Sequence, residues 1–477
     1  MTARSLADLV KAYDVRGTVP DQLDAEVARA LGVAFAEVVI GPDGAPGCVI
    51  GHDMRDSGPA LVEAFADGVC SRGLDVTLVG LCSTDGLYYA SGALELPGAM
   101  FTASHNPAQY NGIKLCRSAA RPVGQDTGLA DIRTLAERIL DGDVTPEAVA
   151  TPGSRTERDL LADYAGFLRG LVDLSGIRPL TVVVDAGNGM GGFTVPAVLG
   201  TGAGLPELPI AVEPLYFELD GTFPNHEANP LEPENLRDLQ AAVVAHGADL
   251  GLAFDGDADR CFVVDERGEP VSPSAITALI ARREVARAVA EGADAADVAV
   301  VHNVITSAQV PEVIEATGAR AVRTRVGHSF IKAEMARHGA VFGGEHSAHY
   351  YFRDFWFADT GMLAALHVLA ALGEQPAPLS ALMADLSRYP ASGEVNSTVS
   401  DAAAATEAVL AWGEQQGVTV DRLDGLTLVH DGGDGDPMWW LNLRASNTEP
   451  LLRLNVEAAD AATMERVRDA VLAIVRS

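Results

Sequence analysis

A chain of 477 residues is too long for one hydrophobic core, since single cores stop growing near ~250 to 300 residues, so three or four domains are expected. Hydrophobic residues make up 48% and charged residues 21%, a globular composition that excludes a disordered chain. Setting 34 Lys and Arg against 66 Asp and Glu leaves a net charge of -32, which argues against nucleic acid and anionic membrane surfaces as partners.

The N-terminal MTARSLADLVKAYDVRG lacks an apolar signal core, and no run of about 18 apolar residues suggests a membrane span, so a cytoplasmic protein is expected. Cys48, Cys70, Cys82, Cys116 and Cys261 form no Cys-x-x-Cys pair, which points away from disulfides and thiolate zinc. Short apolar runs then alternate with helical patterns such as 129 to 140, as in βαβ units. A looser repeat lies above this alternation. CVIGHD (48 to 53) and DVTLVG (75 to 80) precede GAMFTASHNPAQYNGIKL (98 to 115), and TVVVDAG and IAVEPLY precede ADLGLAFDGDADRCFVVD (248 to 265). VAVVHN and ARAVRTRV precede AVFGGEHSAHYYFRD (340 to 354) in the same way. Three similar α/β domains with mixed sheets explain this pattern, each with a polar loop after a short apolar strand. A last segment, with an Ala-rich helix near 401 to 416, strands MWWLNLRAS and LLRLNVEA and a terminal helix, reads as a smaller α+β domain. The expected domains are 1–157, 158–266, 267–388 and 389–477. Ligands of open α/β sheets collect at the carboxyl ends of strands, where the three polar loops fall, so these loops could converge on one cleft.

The loops carry the chemistry. FTASHNP places Ser104 after a strand, with His105 beside it and Lys114 ten residues on. A serine hydroxyl needs a base or cation to act as a nucleophile, and the plain alternative is a turn chosen for backbone geometry. FDGDADR sets Asp255, Asp257 and Asp259 at alternate positions, a spacing that lets carboxylates converge on a hard cation such as Mg²⁺. A calcium loop competes, but Arg260 stands where that loop requires Gly. Arg260 suits a phosphate, whose oxygens its planar fork can bind twice. Gly187, Gly189 and Gly192 match the dinucleotide string G-x-G-x-x-G, with Glu213 ending the next strand. In a chain with 48 glycines, a closely packed strand-to-helix turn is the stronger reading. GEHSAHYYF offers Glu345, Ser347 and His349 to sugar hydroxyls. RASNTEP gathers Arg444, Ser446, Asn447 and Thr448, followed by Arg453, into an anion nest.

Taken together, YDVRG (13 to 17), TASHNP (102 to 107), DGDADR (255 to 260), GEHSAHY (344 to 350) and RASNTEP (444 to 450) resemble the α-D-phosphohexomutase superfamily, in its phosphomannomutase/phosphoglucomutase group. The order and spacing match across nearly the whole chain. The resemblance implies four domains around a central cleft, with Ser104 as the phosphoserine and Asp255, Asp257 and Asp259 holding Mg²⁺ together with the Ser104 phosphate. It implies that Glu345 and Ser347 read the sugar and that Arg444, Ser446, Asn447 and Thr448 hold the unreactive phosphate. Tyr13, Arg16, His105, Lys114, Arg260 and His328 match positions lining that cleft, with Lys114 or His105 as candidates for proton transfer. Two departures bear on substrate choice: Ala348 replaces the commoner Gly, and NVITS (303 to 307) lacks a lysine found in some dual-specificity members.

The implied reaction interconverts hexose 6-phosphate and hexose 1-phosphate of mannose or glucose, primed by a hexose 1,6-bisphosphate, in a monomer or homodimer. Phosphoryl transfer rests on positioning and electrostatics, so a metal, several cations and an in-line hydroxyl suffice. Two other classes stand beside it: a phosphatase using Asp255 as an aspartyl-phosphate nucleophile, and a noncatalytic sugar-phosphate sensor.

Overall fold

The computed structural model describes residues 5–433, 436–445 and 451–477. It divides into two compact units. One runs to Val271 and takes in Ser347–Ser380, and the other comprises Ser272–His346 and Ala381–Ser477.

The first unit holds two mixed sheets. In one, the order is Val15–Thr18, Tyr110–Arg117, Gly98–Phe101, Gly47–His52, Asp75–Leu81 and Arg155–Glu157. Gly47–His52 runs parallel to both Gly98–Phe101 and Asp75–Leu81, whereas Tyr110–Arg117 returns antiparallel on Gly98–Phe101. Strand Gly98–Phe101 is wholly buried, as its unbroken apolar run requires of a strand covered on both faces. Helices Ala25–Phe35 and Gly58–Cys70 bring Leu31, Phe35, Leu61 and Phe65 into one core with Ile50 and Phe101.

The second sheet repeats this plan, with order Pro270–Val271, Cys261–Asp265, Leu250–Phe254, Leu180–Asp185 and Ile210–Leu215. Leu250–Phe254 is parallel to Leu180–Asp185 and antiparallel to Cys261–Asp265. The TASHNP and DGDADR loops therefore occupy equivalent places, each turning from a buried central strand into an antiparallel neighbour. The hairpin Tyr350–Phe352 with Ala358–Asp359 and the helix Gly361–Gly373 complete this unit.

In the second unit Ala299–Asn303 lies parallel to Arg320–Thr324 and to Phe342–Gly344, with helices Pro273–Ala290, Gln309–Ala316 and His328–His338 between or beside them in the chain. An antiparallel sheet follows, ordered Ala391–Thr398, Leu451–Ala458, Trp439–Ala445, Leu426–His430 and Thr419–Asp421. Val409 of helix Ala402–Glu414 and Val467 and Val471 of helix Ala461–Val475 share a core with Trp439, Leu441 and Leu454. The chain thus carries three α/β parts and a smaller sheet-rich C-terminal part, the fold class expected from the repeat. All five cysteines are free. Among the described residues no helix is long and apolar enough to cross a membrane.

Candidate active site

In the first unit, the two equivalent loops meet. Ser104 is 4% exposed and adopts φ +50°, a left-handed conformation that costs a non-glycine residue energy and persists only where neighbours impose it. Its hydroxyl donates to Asp255 Oδ2 at 2.8 Å and lies 3.1 Å from His105 Nδ1. Gly256 permits this approach, because a Cβ there would meet the Ser104 carbonyl oxygen at 2.4 Å.

Asp255, Asp257 and Asp259 are all buried, and one carboxylate oxygen from each lies within 4.8 Å of the others. Asp257 Oδ1 and Asp259 Oδ1 have no hydrogen-bond partner among the described residues. Three buried carboxylates, two of them with an orphaned oxygen, fit a hard divalent cation, whose ligands are oxygens and which usually shares its shell with phosphate. A second potential group shares Asp259 and adds His349 and Asp359, but there His349 Nδ1 is paired with Asp359 at 2.9 Å.

Cations surround the carboxylates. Lys114 Nζ donates to Asp257 Oδ2 at 2.7 Å and Asp259 Oδ2 at 2.5 Å. Arg260 donates through Nε to Asp255 Oδ2 at 2.9 Å, and its Nη2 lies 2.6 Å from His105 Nδ1. Burial raises Asp255 to about 7, against the opposing pull of Arg260 and with a further push from Asp259 and Asp257. Burial also opposes the charge of Lys114, but Asp257 and Asp259 outweigh it and hold the amine well above its ordinary value. Burial, then Arg260 and Arg16, press His105 well below the imidazole range. Of the two candidates for proton transfer, His105 is therefore held neutral, with Nδ1 facing the Arg260 guanidinium, and Lys114 is held as an ammonium. His349 is raised, because Asp259 and Asp359 overcome its burial.

The remaining expected residues fall into separate groups. Arg16 donates to Asn106 Oδ1 at 2.6 Å, tying YDVRG to the serine loop, and Tyr13 is half-buried nearby in sequence. Ser347 belongs to the first unit, whereas Glu345 belongs to the second. There Glu345 is 2% exposed and accepts from Asn303 Nδ2 at 3.0 Å and the Gly327 amide at 3.1 Å, immediately before His328 opens its helix. Arg444 and Arg453 face each other across antiparallel strands, with Glu394 3.8 Å from one and 3.5 Å from the other. The Nε atoms of both arginines are buried without a hydrogen-bond partner among the described residues. Ser446, Asn447 and Thr448 lie outside the described residues.

Two participants were not evident from the motifs. Thr84 Oγ1 donates to Asp257 Oδ2 at 2.6 Å, yet in CSTDG it reads only as part of a helix start, with Ser83 as the cap. Asp359, the partner of His349, sits in a short strand with no distinguishing signal. The G-x-G-x-x-G glycines are filled by protein. A Cβ on Gly189 would meet the Gly256 carbonyl oxygen at 2.7 Å, and one on Gly192 the Phe217 carbonyl oxygen at 2.2 Å. That string is a packing turn supporting the aspartate loop.

Known proteins share this architecture and sequence. Family models for phosphoglucomutase/phosphomannomutase match in order: α/β/α domain I over residues 7–141, domain II over 162–268, domain III over 272–389 and the C-terminal domain over 394–474. Similar sequences include a protein named phosphohexose mutases from Xanthomonas campestris, 41% identical over 95% of this chain and 96% of its own length. A phosphomannomutase from Salmonella typhimurium is 38% identical over 98% of both chains. The crystal structure of a phosphoglucomutase/phosphomannomutase family protein from Burkholderia thailandensis superposes with a TM-score of 0.83 at 31% identity, covering 98% of this chain and 97% of the other. With four successive domain models spanning the two loops that meet at Ser104 and Asp255, this chain belongs to the phosphoglucomutase/phosphomannomutase family.

Proposed function

We propose that the protein is a phosphomannomutase that also acts on glucose phosphates, moving a phosphoryl group between O1 and O6 through a phosphoserine at Ser104. The observation that carries this reading is the Ser104 hydroxyl, 2.8 Å from Asp255 and beside His105, with Arg260 and Lys114 paired to the same aspartate loop. A strand-end serine facing metal-type carboxylates and several cations is the equipment phosphoryl transfer requires.

Asp255, Asp257 and Asp259 would hold Mg²⁺ with an oxygen of the Ser104 phosphate, and the ion would neutralise phosphoryl charge there. Arg260 and Lys114 orient the same phosphoryl oxygens. In the forward step the bond from phosphorus to Ser104 Oγ breaks as a bond to the free sugar hydroxyl forms, giving a hexose 1,6-bisphosphate. The hydroxyl proton passes to a neighbouring group, with His105 and Lys114 as the candidates for proton transfer. After the sugar turns, its other phosphoryl group returns to Ser104. Arg444, Arg453, Ser446, Asn447 and Thr448 would hold the phosphate that is not reacting. Glu345, Ser347 and His349 would bind sugar hydroxyls, with Tyr13, Arg16 and His328 completing the contacts. The partners are mannose and glucose phosphates, and a hexose 1,6-bisphosphate is the primer. The domain limits we assign are 1–157, 158–266, 267–388 and 389–477.

Ser104→Ala tests the reading. The variant should keep its fold and lose mutase turnover in an assay primed with bisphosphate, while wild-type protein gains one phosphoryl mass after priming. Wild-type turnover in the alanine variant would overturn the phosphoserine. Retained phosphatase activity in that variant would favour Asp255 as the nucleophile instead.

A further inference from the structure

We propose that Arg55 is the positioning residue of the Ser104 loop, its guanidinium holding the backbone of residues 104–110 in the shape that aims the serine hydroxyl at Asp255. The proposal rests on Ser104 being the phosphoryl carrier. Arg55 lies just beyond strand Gly47–His52, the parallel neighbour of the strand that leads into the serine loop.

Arg55 is 2% exposed. Its Nε donates to Asp53 Oδ2 at 3.2 Å. Nη1 donates to the carbonyls of Pro107 and Tyr110, each at 2.9 Å, and Nη2 to those of Ser104 at 2.9 Å and Asn106 at 2.6 Å. A guanidinium has five N–H groups in a rigid fork, so every donor has an acceptor; three of the five acceptors lie in the serine loop and a fourth is Tyr110, the first residue of the strand that follows it. Asp53 fixes the fork from behind, accepting the Arg55 amide at 3.0 Å as well. The Phe223 ring lies 5.1 Å from the guanidinium carbon.

The loop needs such a support. Residues 102–109 form neither helix nor strand, and Ser104 is held in the left-handed region. Its amide is fixed by Thr102 Oγ1 at 2.9 Å and its carbonyl by Arg55, so both peptide groups flanking the reacting side chain are anchored. Turning four carbonyls inward to one cation also keeps their negative ends away from the place where a phosphoserine would sit. A lysine retains the charge but cannot present five donors in one plane.

Arg55→Lys is the test. It should lower kcat by about 100-fold or more, as expected when a reacting group shifts by about an ångström, while the KM for hexose phosphate stays within about threefold. Phosphoryl uptake from a bisphosphate primer, followed by intact mass, should slow in step with kcat. A kcat within about threefold of wild type, or a loss confined to KM, would overturn the assignment. If Arg55→Lys does not fold, Asp53→Asn takes its place, because it loosens the fork from behind while keeping the guanidinium; kcat should again fall with KM within about threefold, and a wild-type kcat overturns the proposal. Ser104→Ala run in parallel separates the two readings. An inactive alanine variant beside a fully active Arg55→Lys removes only the positioning role, whereas an active alanine variant removes the phosphoserine and this role with it.

Discussion

Asp257 combines a carboxylate oxygen that has no partner among the described residues with another that accepts from both Lys114 and Thr84. Burial would raise its pKa, but Lys114, by charge and hydrogen bond, and the Thr84 hydroxyl outweigh that and keep it below the usual carboxylate range. It is therefore held ionised, and an unpartnered buried acceptor costs about 1–3 kcal/mol that a bound cation would offset. Asp257→Asn keeps the shape and removes the charge. Mn²⁺ binding, followed by electron paramagnetic resonance as a stand-in for Mg²⁺, should weaken by about 100-fold, the upper end of what loss of a supporting group costs a metal site. Turnover should fall with it, and chelation should abolish wild-type activity reversibly. Unchanged Mn²⁺ affinity in the asparagine variant would contradict the metal assignment.

The helix Thr84–Leu94 joins two parts of the site through consecutive residues. Its first residue contacts Asp257, by side chain at 2.6 Å and by its amide to the Asp257 carbonyl at 3.0 Å. Its second, Asp85, is wholly buried and accepts from Tyr164 and Thr360, each at 2.7 Å, and from Ser83. Thr360 in turn follows Asp359, the partner of His349. Burial raises Asp85 to about 6, with the Ser83, Thr360 and Tyr164 hydrogen bonds pulling the other way. In the unfolded chain the value is about 3.9. The folded protein therefore binds more protons between about pH 4 and 6, and the stability associated with protonated Asp85 is full below that window and lost as pH rises through it. Relative to Asp85→Asn, wild-type stability should fall across that window by roughly 3 kcal/mol and level off above it. Chemical unfolding of both proteins at several pH values checks this; a difference independent of pH between 4 and 7 would exclude a perturbed Asp85.

At the scale of the whole molecule, the proposed reading makes substrate range the property to measure. Mannose and glucose differ at C2, whereas on the proposed reading Glu345 and Ser347 bind hydroxyls at C3 and C4, which the two sugars share. Both 1-phosphates should therefore turn over, with mannose preferred, and N-acetylglucosamine phosphate should be rejected because its acetamido group needs room at C2. The ratio kcat/KM for each 1-phosphate at saturating bisphosphate is the direct measure, since it reports differential binding of the transition state. A value for N-acetylglucosamine phosphate above both hexoses would overturn the branch assignment, and glucose above mannose would reverse only the preference.

Local pattern alone revealed the three α/β repeats, the helix Leu129–Leu140, the strands Trp439–Ala445 and Leu451–Ala458 and the loops that carry the chemistry. Apolar periodicity and turn residues are local, and they survive without knowledge of distant contacts. Ser104 and the three aspartates were legible for the same reason, each lying in a short contiguous string. The tertiary structure decided what is nonlocal. Asp255 reaches Ser104 across 151 positions, Thr84 reaches Asp257 across 173 and Thr360 reaches Asp85 across 275. Protonation was decided there too, because burial works against the charge of Lys114 and only Asp257 and Asp259 keep it an ammonium, while burial, Arg260 and Arg16 together hold His105 neutral. Each depends on burial and on charges that only folding brings alongside. Arg55 shows the limit most clearly, since its role consists of four carbonyls that begin 49 residues away, and backbone carbonyls leave no mark in a sequence.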